Sequence, residues 1–244
     1  MWVLLHGWGR SMADFSSFCA LVAGVEDAPW IARFDMPGFG TSPALTDSAG
    51  SLGYAGFVAK AISQVVSDMP DPDKVRVIVI GHSFGGRVAL ALTDLDLTEF
   101  QLAGLLISGV PLLRDPDVVR KPKMGFRIAR FMSRFGLISN ARMESLRTRY
   151  GSSDYRNAVG VMREVLIKLV NEDYRELLAN LRIPVSLFWG IDDQAAPLRV
   201  AERAVRSCPD HIELRKVQGD HFVALTMPAL LLESAEALVQ RTKR

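Results

Sequence analysis

Two cysteines in 244 residues, Cys19 and Cys208, leave no basis for a disulfide framework. They stand far apart in segments that read as helical. No Cys/His cluster has metal-ligand spacing, so the sequence offers no metal site, and no cofactor is expected. Long hydrophobic runs are missing too. None approaches the ~20 residues that span a bilayer. The apolar residues at 1–5 have no basic stretch before them and run straight into a glycine-bearing loop, so they read as a strand and not as a signal peptide. Charge of one sign is equally scarce: 29 Lys and Arg against 27 Asp and Glu leave a net +2. With 49% hydrophobic and 23% charged residues, the chain is neither a disordered polyelectrolyte nor a nucleic-acid binder by composition. The expectation is a soluble, cytoplasmic protein with one large α/β core, as monomer or homodimer.

What is present is concentrated in ten residues. Val77-Ile78-Val79-Ile80 is a β-branched run that stops at Gly81-His82-Ser83-Phe84-Gly85, and helix-forming Arg87-Val88-Ala89-Leu90-Ala91-Leu92 follows. Strand, Gly-x-Ser-x-Gly and helix together make a nucleophile elbow, in which a sharp turn raises the serine hydroxyl at the end of a sheet. Glycines on both sides let strand and helix approach closely.

A serine hydroxyl needs a base within hydrogen-bond reach, and the base needs an orienting acid. Acid and then histidine follow the serine along the chain in proteins with this elbow. Of the four histidines, His6 precedes the serine in another motif, and His82 inside the elbow points the wrong way. His211 opens a strand as a surface residue. His221, in the loop Gln218-Gly219-Asp220-His221-Phe222, is the well-placed base. The acid belongs after the strand Val185–Gly190, where Asp192 and Asp193 compete. The aspartate not used would cap the helix near Pro197 or face water.

These motifs resemble the α/β-hydrolase superfamily from Val3 to about Leu231. Gly190, Asp193 and Pro197 match its Gly-x-x-Asp-x-x-x-Pro, which favours Asp193 as the acid. His6-Gly7-Trp8-Gly9 matches its oxyanion loop, which implies backbone N–H donors from Trp8 and from Phe84, the residue after the nucleophile, with the Trp8 indole walling the acyl pocket. Asp35-Met36-Pro37-Gly38-Phe39-Gly40-Thr41-Ser42 is similar to the family's Asp-x-Pro-Gly-x-Gly-x-Ser turn. The motifs look most like carboxylesterases of the pimeloyl-acyl-carrier-protein methyl ester esterase type, and somewhat like carbon–carbon bond hydrolases of aromatic degradation. The resemblance implies a serine hydrolase with Ser83, Asp193 and His221 as its triad, acting on an ester or thioester. The alternatives are carbon–carbon bond hydrolysis of a vinylogous diketone acid, or a non-catalytic receptor that retains the triad.

Strand-like runs at Trp2–Leu5, Trp30–Phe34, Val75–Ile80, Leu102–Ile107, Val185–Trp189 and Ile212–Val217 alternate with helical patterns at 13–25, 54–68, 85–95, 198–207 and 230–240. That alternation predicts six parallel strands. The resemblance implies two strands before Trp2 in the family, and the expectation is a sheet without them, with the Trp30 strand as an edge. Residues 1–112 and 183–244 read as the core. The seventy residues 113–182 read as an inserted helical cap, with one amphipathic helix at 125–132 and another at 156–170. Phe126, Phe131, Met132 and Phe135 are its candidate pocket residues. The cap carries fifteen Lys and Arg against eight Asp and Glu, a net +7. That balance suits either solvated helix faces or an anionic or carrier-bound substrate.

Overall fold

In a computed structural model of the chain, residues 1–113, 139, 153–207 and 210–243 are described. Six strands form one sheet in the order β2-β1-β3-β4-β5-β6. They are β1 (Trp2–Leu5), β2 (Ile31–Arg33), β3 (Arg76–His82), β4 (Gln101–Ser108), β5 (Val185–Gly190) and β6 (Ile212–Val217). Every neighbouring pair is parallel, and β2 is an edge, as the strand runs predict.

The helices, numbered among the described residues, are α1 (Ser16–Val22), α2 (Ser51–Ser67), α3 (Phe84–Ala91), α4 (Ser153–Asn157), α5 (Gly160–Leu169), α6 (Arg175–Ala179), α7 (Leu198–Ser207), α8 (Val223–Thr226) and α9 (Pro228–Thr242). They cover both faces of the sheet, and the strand side chains divide with period two. Val3, Leu5, Val77, Val79, Leu105 and Ile107 pack under α2, α3 and α7. Trp2, Leu4, Ile78, Ile80 and Leu106 pack on the opposite face with residues of α1 and α9. Burial on both faces explains why β1 and β3 read as continuous apolar runs without alternation.

β1 lies between β2 and β3, so the chain leaves β1 on one face, into α1, and leaves β3 on the other, into α3. Neighbouring strands whose connections leave on opposite faces of the sheet open a crevice at their carboxyl ends, where ligands of such sheets bind. The His6-Gly7 loop and Ser83 both stand there.

Two helical expectations change. The 156–170 helix is two helices, because Val159 is extended and Gly160 takes a positive φ of 53°. The 13–25 helix is a 3₁₀ turn, Met12–Phe15, followed by α1, which stops at Val22. The short α6 and α8 were not legible, since one or two turns carry too little periodicity. Residues 125–132 lie outside the described residues, as do Phe126, Phe131, Met132, Phe135 and Cys208.

The described part of the insertion shares the core. Val165 and Leu169 of α5, with Tyr174, Leu178 and Leu181, belong to the cluster under α2 and α3. Arg87 donates to the Leu169 carbonyl at 2.7 Å, and the Ser51 N–H donates to Glu172 at 2.8 Å.

Backbone meets backbone closely where α3 crosses β1. A Cβ on Gly85 would stand 2.1 Å from the Leu5 carbonyl oxygen. Gly85→Ala must therefore push helix and strand apart, at a cost of roughly 3 kcal/mol or more. Urea unfolding should show a clear fall in the midpoint, and an unchanged midpoint would contradict the close approach.

Candidate active site

Ser83 follows the last residue of β3 and adopts φ 51° and ψ −107°, an unusual conformation for a residue with a side chain. Strain of this kind costs about 1–3 kcal/mol and persists only when the surroundings over-determine it. Here they do. The Ser83 N–H donates to the Ser108 carbonyl at 2.7 Å, and the Ser83 carbonyl accepts from the Arg87 N–H at 3.1 Å. The Gly85 N–H donates to the His6 carbonyl at 3.0 Å. Phe84 opens α3, so its N–H is one of the donors that a helix start cannot satisfy internally.

Ser83 lines a cleft of about 670 Å³ together with Trp8, His82 and His221. The Trp8 ring meets Phe39 and Phe84 nearly edge-on, with centroids 4.9 Å and 5.7 Å away. Across the cleft, the Nδ1–H of His221 donates to Asp193 Oδ2 at 2.8 Å. Asp193 is 3% exposed, and its Oδ1 accepts from the Ala195 and Ala196 N–H groups at 2.8 Å each. Three donors thus hold one buried carboxylate, and His221 keeps Nε2 for other work. Asp192, one residue earlier, turns outward and accepts from Gln218 at 2.5 Å. His211 sits at the start of β6, at the opposite end of the sheet.

The profile of the alpha/beta hydrolase family matches residues 2–235. The chain belongs to the alpha/beta hydrolase family. A 2-hydroxy-6-oxononadienedioate/2-hydroxy-6-oxononatrienedioate hydrolase from a Pseudomonas species is 27% identical over 233 residues, covering 85% of this chain and 76% of that protein. Among solved structures, an esterase from Exiguobacterium antarcticum superposes with a TM-score of 0.66 at 19% identity, covering 100% of this chain and 91% of that one. A hydrolase from Pseudomonas aeruginosa PA01 does so with a TM-score of 0.68 at 14% identity, covering 98% and 89%. At such identities the structures speak for the fold alone.

This hydrolase departs from the sequence reading at His82, which does not point away from the site. Its ring lies 4.9 Å from that of His221 and 5.8 Å from Phe222. Burial, then the neighbouring His221 and Arg10, push its pKa down to about 3, so it stays neutral and is a poor base. Its Nδ1 and the Ser108 hydroxyl are both buried without a hydrogen-bond partner among the described residues.

Several residues in or behind the cleft carried no sequence signal, Gly109 above all. It takes φ 65°, and a Cβ there would stand 2.8 Å from His221 Cε1 and 3.2 Å from His82 Cε1. The two imidazoles can therefore lie side by side only against a glycine. Arg10, Asp154, Asn157, Asp220 and Phe222 also line the cleft. Arg10 pairs with Asp14 and stacks 5.2 Å from the Phe222 centroid. Its place just after His-Gly-x-Gly was the available hint. The described lining therefore includes Asp154, Asp220 and Asp192, the last with its carboxylate on Gln218, and one guanidinium that is already paired.

The buried neutral His82 has a stability consequence with a definite sign. Its folded pKa of about 3 lies below the ordinary 6.5, so between those values the unfolded chain binds the extra proton. Acidification below about pH 6.5 should then cost the folded state up to ~1.4 kcal/mol per pH unit on account of this group. His82→Asn should flatten stability against pH between 7 and 4 in denaturant titrations. Parallel curves for the two proteins would contradict a buried neutral imidazole.

Proposed function

We propose that this alpha/beta hydrolase is a serine esterase or thioesterase working through an acyl-enzyme. The observation that carries the reading is the strained, over-determined Ser83 in one cleft with the His221–Asp193 pair. Ser83 Oγ attacks the carbonyl carbon while His221 Nε2 takes its proton. The tetrahedral oxyanion rests on the N–H groups of Trp8 and Phe84, each worth about 3 kcal/mol in such a site. The intermediate collapses, and the alcohol or thiol leaves with the proton held by His221. Water then attacks the acyl carbonyl, gives its proton to the same nitrogen, and releases the acid and Ser83. Asp193 keeps His221 in the Nδ1–H tautomer and stabilises the imidazolium.

The carboxylates on the described wall favour a neutral ester over a dianion. The carbon–carbon bond hydrolase named at 27% identity supports a second reading, cleavage of a vinylogous diketone acid. The net +7 that would suit such a substrate, or an acidic carrier, falls entirely in 114–152, while 153–182 holds five charges of each sign. Residues 113–182 are taken as a cap on the core of 1–112 and 183–244, since Ser153, Asp154 and Asn157 line the cleft beside Ser83.

A fluorophosphonate should label Ser83, and Ser83→Ala should abolish turnover of short p-nitrophenyl esters without unfolding the protein. Turnover by Ser83→Ala would end this mechanism. A kcat/KM for a vinylogous diketone acid far above that for the esters would move the assignment to the second reading.

The two aspartates make a separate test. Asp193→Asn should lower kcat by roughly 10⁴ by favouring the wrong imidazole tautomer. Asp192→Asn should cost less than about threefold, because its side chain holds only Gln218. Similar losses in both would remove Asp193 from its role.

A further inference from the structure

We propose that His6 is the positioning residue of the oxyanion hole, clamping the peptide that carries the Trp8 N–H through a tautomer set by the Asp35–Thr41 turn. The proposal rests on the reading above, in which that N–H receives the oxyanion.

The tautomer follows from two hydrogen bonds. The Met36 N–H donates to His6 Nε2 at 3.0 Å, so Nε2 is bare. The proton is on Nδ1, which stands 2.8 Å from the Gly7 carbonyl oxygen and donates to it. His6 is fully buried, and burial lowers its basicity, so the ring stays in this one neutral form.

The Gly7 carbonyl and the Trp8 N–H belong to the same planar peptide unit. In a trans peptide the two point in opposite directions. Anchoring the carbonyl on the His6 side aims the N–H the other way. The clamp is needed because Gly7 bounds that unit on one side, and glycine leaves a peptide free to rotate about its ψ where a side chain would obstruct it.

His6 also reaches the second donor. Its backbone carbonyl accepts the Gly85 N–H at 3.0 Å, next to Phe84 at the start of α3. One residue thus holds the neighbours of both proposed donors, by side chain on one side and by backbone on the other. The turn after β2 braces the arrangement. Asp35 accepts from the Met12 N–H at 2.8 Å, beyond the far end of the loop, and from the Thr41 N–H at 3.0 Å within its own turn. That assigns a task to the Asp-x-Pro-Gly-x-Gly-x-Ser motif, which no step of the hydrolysis uses.

Three variants separate the clamp from ordinary packing. His6→Asn can place an amide N–H where Nδ1–H stood and loses the acceptor for Met36. His6→Gln can accept from Met36 and loses the clamp. His6→Ala loses both. On a neutral short-chain p-nitrophenyl ester, Gln and Ala should lower kcat roughly hundredfold, the scale of one lost oxyanion donor, and Asn by less than about tenfold. KM should move less than about threefold throughout. Affinity for a trifluoromethyl ketone, which forms an oxyanion on the serine, should fall in step with kcat. Equal losses in Asn and Gln, or losses that follow the melting temperature alone, would overturn the proposal. Long-range ¹H–¹⁵N correlation on the wild-type protein gives an answer independent of any variant: His6 should be the Nδ1–H tautomer, and an Nε2–H tautomer would refute the clamp. Fluorophosphonate labelling of wild-type Ser83 separates the two levels. Its absence defeats the esterase reading itself, whereas labelling with kcat unchanged in Gln and Ala defeats only the role of His6.

Discussion

One backbone hydrogen bond, Gly85 N–H to the His6 carbonyl, joins the two halves of the cleft, and much of the local structure exists to permit it. It requires the first turn of α3 to touch the end of β1, which leaves no room for a side chain at position 85. The chain must then turn from β3 into α3 within a single residue, and Ser83 takes the left-handed φ that this demands. Strain of this size, about 1–3 kcal/mol, survives because the apolar faces of β1 and β3 are buried on both sides and fix the two strands. A serine held this way cannot relax toward an ordinary helix start without separating the central strands of the sheet.

The cleft holds histidines in different electrostatic settings. His82 is buried without a carboxylate and stays neutral. His6 is buried between a backbone donor and a backbone acceptor that suit the neutral ring. His221 hydrogen-bonds a buried carboxylate, that of Asp193. Environment separates groups of identical intrinsic chemistry, and burial disfavours the charged form of His82 and of His6. The contact between the His82 and His221 rings depends on this division, since two cations at 4.9 Å between centroids in a partly buried site would repel each other strongly.

The insertion after β4 serves the core and the cleft at once. Its helices α5 and α6 add apolar side chains to the cluster under α2 and α3, and Ser153, Asp154 and Asn157 of α4 line the cleft. Hydrogen bonds from Arg87 and to Glu172 tie that region to the two helices that carry the elbow's packing.

The sheet and the motifs were legible in the residues because their causes are local. A β-branched run that stops at Gly-x-Ser-x-Gly declares its strand, turn and helix from nearest-neighbour sterics, and all six strands fall where the apolar runs stand. Each half of the candidate site was likewise visible as a type of residue at the end of a strand. What remained open were relations between distant residues. Asp192 and Asp193 are equal as residues, and only the path of the loop after β5 turns one toward His221 and the other toward Gln218. The position of His82 beside His221, the glycine at 109 that allows it, and the break of the second insertion helix at Gly160 all depend on how elements pack. The tautomer of His6 depends on Met36, thirty residues away along the chain. Periodicity and turn chemistry determine which element a segment forms. Which atoms meet across elements is decided by tertiary packing, because those contacts join residues that share no local pattern.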